Sequence, residues 1–386
     1  MNKSVRNTVL LTMLIDMIGV GVIIPVMPYY VKSFGVSPLV VTLVFAVYSL
    51  CAVLSTPLLG ALSDRIGRRP VLLMSIASTA LGWLVFALAG NVWVLVIGRV
   101  IDGLAAGNFS TAQSYLVDLA GEGKERAYAL GLSSMVFGVG AIVGPMIGGV
   151  LGELAPASPF WFVCGLATIN LLFAARFLPE TLPPEKRAVK RMSINPFSTV
   201  LAAFRDGHIR PRLIVWTLFS ITITTQQAIF ALFIAAAFGY GALAAGLLMV
   251  GVGTVIVLNQ AFLMKRVWLR YFSERELERR MFVVMMIGLS MLATGLLPLM
   301  FIGLLLHTLG QSCIRAVTAS LIAGQALDRK GEIMGVLNSL MYLMTVVAAP
   351  IAGLLFGIGI TWPYVFAVAV TAGSLVMLNR TPVTHH

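Results

Sequence analysis

Gly60-Ala-Leu-Ser-Asp64-Arg65-Ile-Gly67-Arg68-Arg69-Pro70 is a short charged stretch between two long apolar runs, 39–62 and 70–89. Gly67 permits a tight reversal, and the three Arg hold a loop on the cytoplasmic face of a membrane. Asp64 has two uses open to it, pairing with one of those Arg or facing a helix N-terminus. A loop this short between runs this apolar reads as the turn joining two membrane-crossing helices.

The rest of the chain repeats that pattern. Hydrophobic residues make up 59% of the 386, charged residues only 11%, and the mean hydropathy is +0.96. A soluble domain carries about 25% charged residues, so the composition is that of an integral membrane protein. Runs of spanning length occur at 8–31, 39–62, 70–89, 92–116, 127–151, 158–178, 212–237, 242–264, 281–298, 300–326, 333–357 and 360–379. The expected fold is an all-α membrane protein of twelve transmembrane helices.

Lys and Arg sort by loop. Of the 27, 22 or 23, depending on how Arg212 is counted, lie in the N-terminal segment, the loops near 65, 125, 185–212, 265–280 and 330, and the tail near 380, whereas the alternate loops hold only Lys32. The positive-inside rule then predicts both termini in the cytoplasm. The formal charge of +12 follows from topology, and no nucleic-acid partner is expected. Cys51, Cys164 and Cys313 each stand alone in a span and read as packing residues, with no metal site and no cofactor expected. The first run lacks a small-residue cleavage site and continues through Pro25 and Pro28, so it reads as a span and not a cleavable signal.

The longest polar interruption, Pro179 to Pro211, carries Lys186, Arg187, Lys190, Arg191, Arg205 and Arg210. It divides the chain into an N-terminal six-helix bundle at 1–178, a cytoplasmic linker at 179–211 and a C-terminal six-helix bundle at 212–386. Pro196 to Phe204 fits either a short amphipathic surface helix or a plain tether. Gly144-Pro145-x-x-Gly148-x-x-x-Gly152 recurs as Ala349-Pro350-x-x-Gly353-x-x-x-Gly357, so span n answers to span n+6. Duplicated halves with a substrate site near the midplane are the build of a rocking secondary transporter.

The Gly60 to Pro70 stretch resembles the signature of the major facilitator superfamily between spans two and three. The resemblance implies a two-half, twelve-helix fold. It also implies a conformational latch in which Gly60, Asp64, Arg65, Gly67 and Arg68 act with Asp118, at the inner end of span four, to close the outward-facing state. In span five, Gly140, Gly144 and Gly148 share one helix face beside Pro145 and Gly149, and small residues at that spacing let helices pack closely. The complete string resembles the signature of the superfamily's antiporter branch, which implies export. The first half, over most of residues 10 to 180, is similar to tetracycline/proton antiporters, from Asp16 through Pro28, Ser63 through Leu72, Gly98-Arg99 with Gly103, and Phe137 through Gly149. The second half resembles them loosely. A histidine those antiporters carry in span eight is replaced by an apolar stretch near Val257, and their carboxylates in spans nine and three are missing, the latter near Gly82.

Ionisable residues inside a bilayer are costly, roughly 2.5–3.5 kcal/mol each by insertion scales, and mark functional sites. Asp16 in span one, Arg99 and Asp102 in span four and Arg315 in span ten are the four such groups away from span ends. By the resemblance, spans one, four, seven and ten line the central cavity, and the four charges are expected to gather there. Asp16 or Asp102 is the expected proton carrier, tuned by Arg99, although Arg99 and Asp102 also fit a static intrahelical ion pair. Gln113, Gln226, Gln227, His307, Gln311 and Arg315 are the candidate substrate-cavity residues. His307 fits either hydrogen-bonded packing or coupling.

No Gly-x-x-x-x-Gly-Lys-Ser/Thr string occurs, so coupling rests on an ion or substrate gradient. The expected function is a proton-coupled exporter of a small amphipathic drug or metabolite in the bacterial cytoplasmic membrane, monomeric among lipids. The alternatives are an importer or lipid flippase of the same fold, or a non-transporting membrane receptor. With no catalytic constellation inside the spans, an enzyme is not expected.

Overall fold

The structure is a computed structural model that describes residues 3–119, 124–182, 185, 196–325 and 330–380. Among these the regular structure is entirely helical. Lys186, Arg187, Lys190 and Arg191 of the expected linker, and the C-terminal His pair, lie outside the described residues.

The first seven helices are α1 (Lys3–Lys32), α2 (Pro38–Ile66), α3 (Arg68–Ala87), α4 (Val92–Gly103), α5 (Asn108–Leu119), α6 (Lys124–Leu154) and α7 (Ser158–Phe177). They are followed by α8 (Pro196–Arg205), α9 (Arg210–Phe238) and α10 (Ala242–Leu258), which runs into a π-helical segment, Asn259–Trp268, and the single turn α11 (Leu269–Tyr271). The last four are α12 (Glu274–Leu292), α13 (Leu297–Gln325), α14 (Lys330–Ile358) and α15 (Trp362–Arg380). Of the two readings for Pro196 to Phe204, the chain takes the helix, α8.

Among the described residues, ten helices are long and apolar enough to cross a membrane. Two of the expected runs depart from that standard for separate reasons. Span four is broken at Leu104–Gly107 into α4 and α5, of 12 residues each. Span nine begins earlier than expected, with the charged turns Glu274 to Arg280, and ends at Leu292 instead of 298, since Gly295 at φ 69° starts the turn into α13. Span eight also continues past 264 to Tyr271.

The chain packs as two units. Unit 1 comprises 1–36, 47–194 and 240–250; unit 2 comprises 37–46, 195–239 and 251–386. Unit 1 therefore includes the first two turns of α10, and unit 2 the first turns of α2. In unit 1, α1 packs along α6 and α7, and α3 along α4 and α7. In unit 2, α12 packs along α13, and α9 between α14 and α15.

Glycine makes the α1–α6 contact possible. A Cβ on Gly144 would lie 2.6 Å from the Gly21 Cα, and one on Gly140 would lie 2.6 Å from the Met17 Cβ. Gly148 abuts the Val22 backbone more tightly still. Gly149 packs on a different neighbour, 3.1 Å from the Leu243 Cα of α10 by the same measure. Glu153 completes that junction by accepting from the Leu243 amide at 3.1 Å, one of the unsatisfied donors at the start of α10.

Candidate functional site: a buried carboxylate network in unit 1

Asp16 projects from the middle of α1. Its Oδ1 accepts from Asn108 Nδ2 at 3.0 Å, and the same nitrogen donates to Thr79 Oγ1 on α3 at 3.1 Å. Thr79 in turn hydrogen-bonds Asp102, whose Oδ2 accepts from Arg99 Nη1 at 3.0 Å. The result is one continuous polar chain, Asp16–Asn108–Thr79–Asp102–Arg99, spanning α1, α5, α3 and α4. Asn108 is 8% exposed, and Arg99 and Asp102 are each 7% exposed.

Each member is placed by local folding. The break at Leu104–Gly107 turns the chain between α4 and α5, so Asn108 sits in the first turn of α5. Asp102 and Arg99 are three residues apart on α4 and so share a face. Arg99 is further enclosed by aromatic rings, its guanidinium carbon 4.7 Å from the Tyr48 centroid and 5.0 Å from that of Trp83. Such stacking retains a cation in a dry interior. Gly82 on α3 faces Asp102 directly. A Cβ there would stand 2.9 Å from the Asp102 amide nitrogen and Cβ, so position 82 has no room for a side chain.

Thr12, Met13, Leu72, Ile76, Asn108 and Ala112 pack around Asp16. Thr12 Oγ1 and Asn108 Oδ1 are buried there with no hydrogen-bond partner. These two atoms lack the bonds that buried polar groups ordinarily make.

A second polar cluster in unit 1 lies at the Gly60 to Pro70 turn. Gly67 adopts φ 112°, the left-handed region that a side chain would strain. Arg68 is the hub: it contacts Asp64 at 2.6 Å and Asp118 at 2.9 Å, and donates to Ser63 Oγ at 2.7 Å. Of the two uses open to Asp64, the structure takes pairing with Arg68, and a different residue serves the helix N-terminus. Glu180 accepts from the Arg68 and Arg69 amides at 2.9 and 3.2 Å. Arg65 is exposed, and Gly60 has open space around it.

Three of the four expected intramembrane charges thus meet in unit 1. Arg315 belongs to unit 2, on α13, and is exposed. Gln226 is buried in α9, Gln227 is exposed, Gln311 is half-buried, and Gln113 donates to Ser133 Oγ at 3.2 Å. His307 is buried at 1% exposure, and neither ring nitrogen has a hydrogen-bond partner.

The stretch 265–280, expected as a loop, also holds a buried carboxylate: Glu278, in the second turn of α12, is 1% exposed. It accepts from Arg212 at 2.8 Å and from Thr318 Oγ1 at 2.6 Å, and these two bonds allow the carboxylate to be buried. Its charged neighbours, Glu274 to Arg280, made the stretch read as loop. Asn108, Thr79 and Glu180 were also unforeseen, since a neutral polar residue in a span gives no signal separating it from packing.

The model of the family described as Major Facilitator Superfamily matches residues 9–302. The chain is 31% identical over 254 residues to the class C tetracycline resistance protein of Escherichia coli, covering 65% of this chain and 64% of that protein. Less than two thirds of that relative's length is therefore matched. Against the class G tetracycline resistance protein of Vibrio anguillarum the identity is 30% over 357 residues, 88% of each. Among solved structures, the human organic anion transporter MFSD10 shares the fold with a TM-score of 0.73 at 23% identity, over 97% of this chain and 99% of that one. The chain belongs to the Major Facilitator Superfamily, whose model covers most of its length.

Proposed function

We infer that this protein is a proton-coupled exporter that drives a small amphipathic drug or metabolite out of the bacterial cytoplasm by alternating access, with Asp16 and Asp102 as the proton-binding groups. The observation that carries this reading is the unbroken chain from Asp16 to Arg99. The chain joins two carboxylates and one guanidinium, so it is net −1 with both carboxylates ionised and neutral with one proton bound. Neutrality costs least while the cluster is enclosed, and ionisation costs least once water reaches it. Asn108 and Thr79 couple the two carboxylates, so a proton arriving at either is felt by both.

In this reading α4 and α5 together form one crossing and α12 another, giving twelve spans with both termini in the cytoplasm. The halves divide at 179–211, and the protein works as a monomer among lipids. Gln113, Gln226, Gln227, Gln311 and Arg315 line the substrate route. Asp64, Arg68 and Asp118 form the latch. Export, and not import or lipid flipping, is supported by the glycine-rich face of α6 and by similarity to proteins named for tetracycline resistance.

The test is reconstitution in liposomes with an imposed pH gradient, using tetracycline, a quinolone and ethidium as probes. Wild type should show probe-induced proton flux, and Asp16→Asn and Asp102→Asn should each reduce it at least tenfold. Flux that survives in both variants overturns the coupling, and probe binding indifferent to the gradient favours a receptor.

A further inference from the structure

The two units share a contact that reaches beyond the motif repeat of α6 and α14. In unit 1, a Cβ on Gly82 would lie 2.9 Å from both the Gly98 carbonyl oxygen and the Asp102 amide nitrogen. In unit 2, a Cβ on Gly288 would lie 2.6 Å from both the Gly303 carbonyl oxygen and the His307 amide nitrogen. The reciprocal contacts match as well: Gly98 faces the Gly82 carbonyl and the Phe86 amide, and Gly303 faces the Gly288 carbonyl and the Leu292 amide. The sequence spacing within each set is nearly the same, so the α3–α4 contact is repeated by α12–α13. In that repeat, His307 occupies the position of Asp102.

His307 differs from Asp102 in having no partner at all. Both ring nitrogens are buried and unbonded. A neutral imidazole has one donor and one acceptor, and both are left unmade in a packed interior, which is costly. Charged groups on the packed elements are engaged or distant. Glu278 of α12 and Arg212 of α9 are bonded to one another. The other α12 charges, Glu274, Arg275, Glu276, Arg279 and Arg280, lie eight or more residues from Gly288, about 12 Å or more along a helix. Arg210 heads α9, Glu332 lies in the first turn of α14, Lys265 and Arg266 are in the π-helical segment, and Arg315 is two turns on in α13; none bonds His307. No described charged group pairs with this imidazole, so burial alone governs its charge: neutral while enclosed, and open to a proton once water reaches it.

We propose that His307 is a second proton-binding site, the counterpart in unit 2 of Asp102 in unit 1, which takes a proton when the conformational cycle brings water to it. This deepens the proton-coupled reading: unit 1 becomes neutral on binding a proton, whereas unit 2 gains a positive charge. The two sites then respond oppositely to a charged substrate.

The chain has four His. Full-length protein carrying His208→Gln, His385→Gln and His386→Gln, labelled with ring-15N histidine in lipid nanodiscs, reports on His307 alone. The imidazole should pass reversibly from neutral to protonated between pH 5 and 8. A single neutral tautomer throughout overturns the proposal.

A second measurement, needing no substrate, is the charge displaced by a pH jump on proteoliposomes adsorbed to a supported membrane. In the Asp16→Asn, Asp102→Asn double variant, a residual displacement should remain that His307→Gln abolishes and His208→Gln leaves intact. Absence of that residual overturns the His307 site. A displacement undiminished by the double variant yet lost with His307→Gln supports His307 and overturns the role assigned to unit 1.

Discussion

Asn108 on α5 donates to Asp16 on α1 at 3.0 Å, and this one side chain makes a single circuit of two carboxylates that the sequence separates by 86 residues. Its amide also donates to Thr79, so each end of the circuit holds the other in place. Asn108→Ala strands the Asp16 carboxylate and breaks the path to Asp102. The expected cost is about 1.5–3 kcal/mol, the range for a hydrogen bond to a charged group. Probe-driven proton flux in liposomes should fall at least tenfold while the purified variant still unfolds cooperatively. Flux at the wild-type level would remove Asn108 from the circuit.

The latch prediction rests on Arg68, whose guanidinium reaches Asp64, Asp118 and Ser63 at once. A planar fork serves three acceptors where an ammonium cannot. Arg68→Lys and Asp64→Asn should therefore slow turnover about threefold to tenfold, with half-saturating probe concentration unchanged within twofold, as expected when conformational exchange and not the binding site is altered. Turnover of Asp64→Asn equal to wild type would exclude the latch role.

Much of the helical layout was legible because a run of about 20 apolar residues has only one stable form in lipid. The break at Leu104–Gly107 was not, since hydropathy continues across it and the interruption arises from turn geometry. Glu278 was hidden for the opposite reason: six charged residues in seven positions resemble a loop, and only the tertiary partners Arg212 and Thr318 make one of them a core residue. At the site, charge made Asp16, Arg99 and Asp102 conspicuous. The neutral connectors Asn108 and Thr79 carried no such mark, because what makes them connectors is their position between helices.

Glycine variants should divide by what a Cβ would meet. Gly144→Ala places a methyl group 2.6 Å from the Gly21 Cα, and backbone on both sides leaves nothing flexible to give way. The expected loss is about 1–3 kcal/mol, typical of overpacking. Gly131 lies on the same α6 with no atom within 4 Å of the added carbon, so Gly131→Ala should gain up to about 1 kcal/mol from helix propensity. Thermal unfolding of the two purified variants checks the contrast, and equal midpoints would mean that α1 and α6 do not need the close approach.

The buried Arg212–Glu278 pair offers the sharpest energetic test in unit 2. At 5% and 1% exposure neither group has bulk water to fall back on, and Thr318 supplies the carboxylate with its second bond. Removing one partner leaves the other charge buried and uncompensated, so Arg212→Met and Glu278→Leu should each destabilise the protein by about 3–5 kcal/mol. Replacing both at once, with Arg212→Met and Glu278→Leu, leaves no orphaned charge. The double variant should therefore recover most of the loss, so that the two single effects fail to add by several kcal/mol in a double-mutant cycle measured by thermal unfolding. Strictly additive losses would show that the two groups are not energetically coupled, and that Glu278 is held in the interior by Thr318 alone.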